Sequence, residues 1–240
     1  MPDPVPRLST PPSLPVPALN ALPLQGVTIL AVEDSRFASE AIRLMCRRTG
    51  ARLRRAETLA DAGRHLHVYR PDAVIVDLGL PDGRGEGLIH HLSLSPRRPD
   101  LVLGMSGDAG GRDMALLAGA DGFLEKPLAS LDAFRQAFAG LIRLPFGEED
   151  RAVLPPPDRL ALRDDLHRAA GLVAAGPDAV GRRYLRGFLG GIARAADDPV
   201  LAEAARAAEG REGMDRLAQV LSQRLKKAAG DFPRGEMPLS

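Results

Sequence analysis

Between residues 27 and 144, short continuously apolar runs alternate with longer amphipathic segments, and this alternation restricts the fold more than any other feature of the chain. The clear runs are VTILAV (27–32), AVIVD (73–77) and LVLGMS (101–106), with RLRRAE (52–57) and GFLEK (122–126) as weaker ones. They are too short for helices and read as strands; the segments between them, such as SRFASEAIRLMCRRTG, carry apolar residues at helical spacing. Such alternation builds βαβ units around a parallel sheet covered on both faces, which is why the central strands are apolar throughout. The expected fold is α/β, a doubly wound five-stranded parallel sheet, with the charged run 52–57 at an edge.

Periodicity stops at PFGEEDRAVLPPPD (145–158), where proline and acid mark a linker. Beyond it, 159–230 reads as a small all-α region punctuated by glycines, Pro177 and Pro199, and 231–240 as a flexible tail. The first 25 residues, broken by prolines, read as a disordered arm. No apolar stretch approaches the roughly 18 residues of a membrane span. The single cysteine, Cys46, excludes an intramolecular disulfide framework and fits a reducing, cytoplasmic setting, with the thiol expected in a helix core. A net charge of +1 lacks the basic footprint of a dedicated nucleic-acid binder.

In open α/β sheets ligands bind outside the carboxyl ends of the strands. There the first strand ends in Glu33 and Asp34, the third in Asp77, the fourth in Ser106 and the fifth in Lys126 and Pro127. Carboxylates crowded on one rim raise each other's pKa unless a counter-charge intervenes, and magnesium, an oxygen-preferring cation, meets that need. Asp77 ends the most apolar strand and suits a nucleophile toward phosphorus. Lys126 and the cation would neutralise phosphoryl oxygens, and the Ser106 hydroxyl would hydrogen-bond one. Singly, each residue has a structural explanation, Asp34 or Ser35 as an N-cap and Ser106 in a turn. Jointly, that explanation needs a suitable residue at four separate strand ends.

With DLGLPDGRG (77–85), SG (106–107) and GFLEKP (122–127), these residues make Val27 to about Leu144 resemble the receiver domain of two-component response regulators. The resemblance implies a flavodoxin-like sheet of order 2-1-3-4-5 within a receiver domain at 26–144. It implies phosphoryl acceptance on Asp77 from a histidine kinase or a histidine phosphotransfer protein. Magnesium would be held by Glu33, Asp34, Asp77 and the backbone carbonyl of Gly79. Ser106 and Phe123 would switch together, and the bond before Pro127 would be cis. Output would pass to a downstream protein through the face of the fourth helix, fifth strand and fifth helix, without turnover of a substrate, so the chain is not expected to be an enzyme. Gly107 departs from the alanine common in that family. A phosphatase-type hydrolase fits the same rim chemistry, but Gly79 stands where its second acid would be needed.

The helical region admits several readings. Transcriptional output through an atypical DNA-binding domain is the alternative, prompted by two helices around glycines that end in basic residues; aligning Gly210 with the turn glycine of a helix-turn-helix, however, puts charged Arg216 where an apolar residue should pack. His167 in DDLHRAAG prompts a phosphotransfer module, but Ala170 occupies that family's lysine position, so a solvent-facing histidine is expected. Leu217, Val220, Leu221 and Leu225 form one apolar stripe, and Tyr184, Leu185, Phe188, Leu189 and Ile192 another. They would cover each other within a bundle, or pack on the receiver or on a second copy of the chain.

Overall fold

A computed structural model describes residues 22–128, 130–142 and 158–230. Most of the proline-rich arm, nearly all of the linker and the tail lie outside the described residues. The strands are β1 (Thr28–Val32), β2 (Arg52–Ala56), β3 (Ala73–Asp77), β4 (Gly79–Leu80), β5 (Gly83–Arg84), β6 (Leu101–Ser106) and β7 (Gly122–Glu125). Five of them form one parallel sheet of order β2-β1-β3-β6-β7, the flavodoxin-like order expected once β4 and β5 are set aside. Those two make a two-residue antiparallel ladder just beyond β3, pairing Gly79 with Arg84 and Leu80 with Gly83. The ladder was not expected, since two residues are too few to show a period.

Helices α1 (Arg36–Thr49), α2 (Leu59–Val68), α3 (Gly85–Ser93), α4 (Gly111–Leu117) and α5 (Leu131–Ala137) cover the sheet. Successive strand residues point to opposite faces. Ile29, Ala31, Ile75, Leu103 and Met105 therefore pack with Ile42, Met45 and Cys46 of α1 and Phe134 of α5. Leu30, Val32, Val74, Val76 and Val102 pack with Ala62, Ile89 and Ala115 of α2, α3 and α4. Arg52 and Arg54 on β2 are exposed, as an edge strand allows.

One boundary differs from expectation. Leu24, assigned to the arm, is fully buried in the core beside α1, and its N–H donates to the Thr49 carbonyl at 2.7 Å. A single apolar side chain after a run of prolines carries no period, so its docking was invisible. The last receiver helix ends at Ala137 and tightens into a 3₁₀ turn, Ala139–Leu141, around Gly140, a weak helix former.

The region beyond the linker folds as α6 (Arg159–Ala174), α7 (Ala179–Ala195), α8 (Pro199–Arg206) and α9 (Gly210–Gly230). Asp158, Asp178 and Asp198 cap α6, α7 and α8 by accepting N–H groups of their first turns. The two stripes cover each other. Leu185, Phe188, Leu189 and Ile192 of α7 and Leu217, Val220 and Leu221 of α9 share one core with α6 and α8. Among the described residues no helix is long and apolar enough to cross a membrane.

Candidate functional site

The carboxyl edge of the sheet assembles the site. Asp77 is the last residue of β3, where every position is buried, and Gly85 lets the chain return against it: a Cβ there would lie 2.0 Å from the Asp77 carbonyl oxygen. At the end of β1, Ser35 is the N-cap of α1, its Oγ accepting the Ala38 N–H at 3.0 Å. Asp34 is thereby spared that duty.

Glu33, Asp34 and Asp77 are all buried, and each offers an oxygen within 4.8 Å of the others. Lys126, one residue past β7, lies between two of them, with Nζ 2.6 Å from Glu33 Oε2 and 2.9 Å from Asp77 Oδ2. Burial pushes the Glu33 carboxyl up to about 8 against the pull of Lys126. Burial likewise lifts Asp34 to about 6, against the Tyr184 hydrogen bond and the Arg168 charge. Burial alone would lower Lys126, but the Asp77 and Glu33 carboxylates outweigh it and hold the ammonium above its ordinary range. Asp34 Oδ1 is buried with no hydrogen-bond partner among the described residues. Three clustered carboxylates, one with an orphaned oxygen, match the hard-oxygen preference of magnesium. Gly79, whose N–H donates to Asp77 Oδ1 at 3.3 Å, lines the same cleft.

Ser106 ends β6 beside Asp77, its Oγ accepting the Asp108 N–H at 3.1 Å. The Lys126 N–H donates to the Ser106 carbonyl at 2.9 Å, and the Lys126–Pro127 peptide is cis. Phe123 is half-buried, with the Arg112 guanidinium 5.6 Å from its ring centre. Both Ser106 and Phe123 border Gly111, where a Cβ would come 2.9 Å from Ser106 Cβ and 3.3 Å from Phe123 Cζ.

The structure brings to the site residues that the sequence did not place there, among them Tyr184, read from the sequence only as part of an apolar stripe. A cleft of about 1110 Å³ is lined by Asp77, Ser106 and Lys126 on one side and by Arg168, Tyr184 and Arg194 of α6 and α7 on the other. The Tyr184 hydroxyl donates to Asp34 Oδ2, and Arg168 Nη2 stands 3.1 Å from the same oxygen. Burial, then the Asp34 carboxylate, hold the Tyr184 hydroxyl far above its ordinary range. His167 is exposed on α6 and takes no part in the cluster.

The family model for the response regulator receiver domain matches residues 29–138. The KDP operon transcriptional regulatory protein KdpE of Escherichia coli (strain K12) is 36% identical over 99 residues, 41% of this chain and 44% of its own length. The transcriptional regulatory protein PhoP of the same strain is 30% identical over 135 residues, 56% of this chain and 60% of its own length. The chain thus spans about half the length of the curated relatives it matches. Among solved structures, the receiver domain of a response regulator from Bermanella marisrubri is 30% identical, covering 48% of this chain and 96% of that one with a TM-score of 0.43. The receiver domain of sensor histidine kinase PA1611 from Pseudomonas aeruginosa, solved with magnesium in its active-site cleft, is 26% identical, covering 48% and 98% with a TM-score of 0.44.

Proposed function

We propose, from the match of residues 29–138 to the family model of the response regulator receiver domain, that this chain is a two-component response regulator whose Asp77 accepts a phosphoryl group from a histidine kinase or a histidine phosphotransfer protein. The observation that carries the reading is the buried Asp77 carboxylate held 2.9 Å from Lys126 beside Glu33 and Asp34. In the transfer an Asp77 oxygen attacks phosphorus, the P–N bond to the donor imidazole breaks, and its electron pair leaves with that nitrogen. Packing around β3 fixes the nucleophile, and Lys126 offers a positive charge to the phosphoryl oxygens without reorganising. The Ser106 hydroxyl lies at the next strand end, where it can donate to one of those oxygens. Magnesium, held by Glu33, Asp34, Asp77 and the Gly79 carbonyl, would supply further neutralisation. Nothing is turned over: the protein is an acceptor and signal carrier in the cytoplasm, not an enzyme.

Adding roughly −1.5 to −2 of charge at Asp77 would draw Ser106 inward and let Phe123 follow. The change would reach the face of α4, β7 and α5, where Met114, Leu116 and Leu117 are exposed. Isolated exposed apolar groups are ordinary, but three on one short helix suit a downstream protein partner or a homodimer contact.

A transcriptional output is the second reading, favoured by the names of the curated relatives. In its support α8 and α9 are joined by only residues 207–209; against it, Arg216 on α9 is exposed where a helix-turn-helix would pack an apolar residue. DNA retention that falls steeply with added salt would favour it.

Acetyl phosphate with magnesium is expected to add one phosphoryl group, removable by hydroxylamine, to the native chain and none to Asp77→Ala. Equal labelling of the two, read by intact mass, would sink the reading.

A further inference from the structure

The helical region does more than sit beside the acceptor site. Arg168 not only approaches Asp34 Oδ2 but also donates from Nη1 to the Asp34 backbone carbonyl at 2.7 Å. Its guanidinium lies 5.5 Å from the Phe188 ring centre, and Tyr184 stacks on the same ring at 5.6 Å, so α6 and α7 present both groups as one packed unit. Next to them the buried Asp165 accepts from the first turn of α1: Ser35 Oγ at 2.7 Å, the Arg36 N–H at 2.9 Å and the Phe37 N–H at 3.0 Å. At the opposite rim Arg194 fills the space beside Gly107, where a Cβ would lie 2.0 Å from its Nη2. The departure at Gly107 from the family's usual alanine thus coincides with the place where α7 meets the receiver.

We propose that α6 and α7 form a latch on the acceptor site, and that the latch and a divalent cation oppose each other through Asp34. The proposal rests on the acceptor reading and adds its regulation. In the cation-bound state, where the ligands are deprotonated, Glu33, Asp34 and Asp77 against Lys126 give the receiver's own groups three negative charges and one positive, a net −2 matched to a divalent cation. Arg168 reduces that to −1 and sets a like charge beside the cation across a shared carboxylate. Tyr184 and Arg168 also occupy Oδ2, leaving the cation only the orphaned Oδ1. Coupling of this kind is reciprocal: whatever loosens the latch tightens cation binding, and the cation loosens the latch by the same factor.

Calorimetric titration of the full chain with Mg²⁺ alone, without phosphodonor, tests this. Arg168→Met is expected to bind Mg²⁺ about tenfold more tightly, and Tyr184→Phe, which keeps the ring stack, more tightly by a smaller factor. Saturating Mg²⁺ is expected to speed hydrogen exchange in α6, α7 and the first turn of α1 in the native chain. Weaker binding in both variants would mean that the two side chains orient Asp34 for the cation, and would overturn the proposal. Unchanged affinity with unchanged exchange, or no Mg²⁺ binding in any variant, would overturn it as well. Acyl-phosphate formation at Asp77, scored separately, shows whether the acceptor reading fails on its own while the antagonism stands.

Discussion

Burial acts on individual side chains here in two ways. At Cys46 nothing opposes it strongly: the thiol sits in the core of α1 and its pKa is pushed up to about 12. The thiolate, the reactive form, is then suppressed in the folded protein. Cys46 is expected to resist iodoacetamide at mildly alkaline pH until denaturant is added, and mass analysis showing rapid modification of the native chain would contradict this placement. At Glu33 burial raises the carboxyl, yet Lys126 at 2.6 Å gives the charged form a partner. One is a core hydrophobe and the other a group held ready for charge. The difference lies in whether a counter-charge is within reach.

At the scale of elements, caps and junctions decide what the helices do. Asp198 caps α8 by accepting the Leu201 N–H at 3.0 Å and also pairs with Arg224 of α9, whose Nη2 lies 2.9 Å from Oδ1. The Arg224 hydrogen bond holds the Asp198 carboxyl below the ordinary carboxylate range, against a smaller opposing effect of burial. A carboxyl with a depressed folded pKa stabilises the fold above its unfolded value of about 3.9 and loses that contribution as pH falls through the folded value. Asp198→Asn keeps a capping oxygen and loses the charge. It is expected to destabilise the helical bundle by on the order of 1 kcal/mol at neutral pH, allowing for solvent screening. Urea unfolding followed by circular dichroism is expected to show the gap to the native chain closing below about pH 4; a gap of undiminished size in acid would show that charge is not its source.

Across the whole molecule there are two separate sets of cores, one around the sheet and one among α6 to α9, joined at polar contacts over Asp34 and the start of α1. Heat unfolding is expected to resolve two transitions, with Mg²⁺ raising the receiver's midpoint and not the bundle's. A single transition that rises as one with Mg²⁺ would deny this division. The sequence by itself determined the parallel sheet and the gathering of Glu33, Asp34, Asp77, Ser106 and Lys126 at one edge, while the order of the strands was implied only by the family resemblance. Continuous apolar runs report burial on both faces, and whatever polar residue ends each run must emerge at the carboxyl rim. It also determined the two stripes of the bundle, because helical spacing reports which face is buried. Only the tertiary structure decided that Leu24 belongs to the core, that β4 and β5 pair, and that Asp165, Arg168 and Tyr184 reach the acidic site. The Ser35–Asp165 and Asp34–Tyr184 contacts join positions 130 and 150 residues apart through single polar side chains. Periodicity tells which surface is apolar; it is blind to which polar groups two folded surfaces bring face to face.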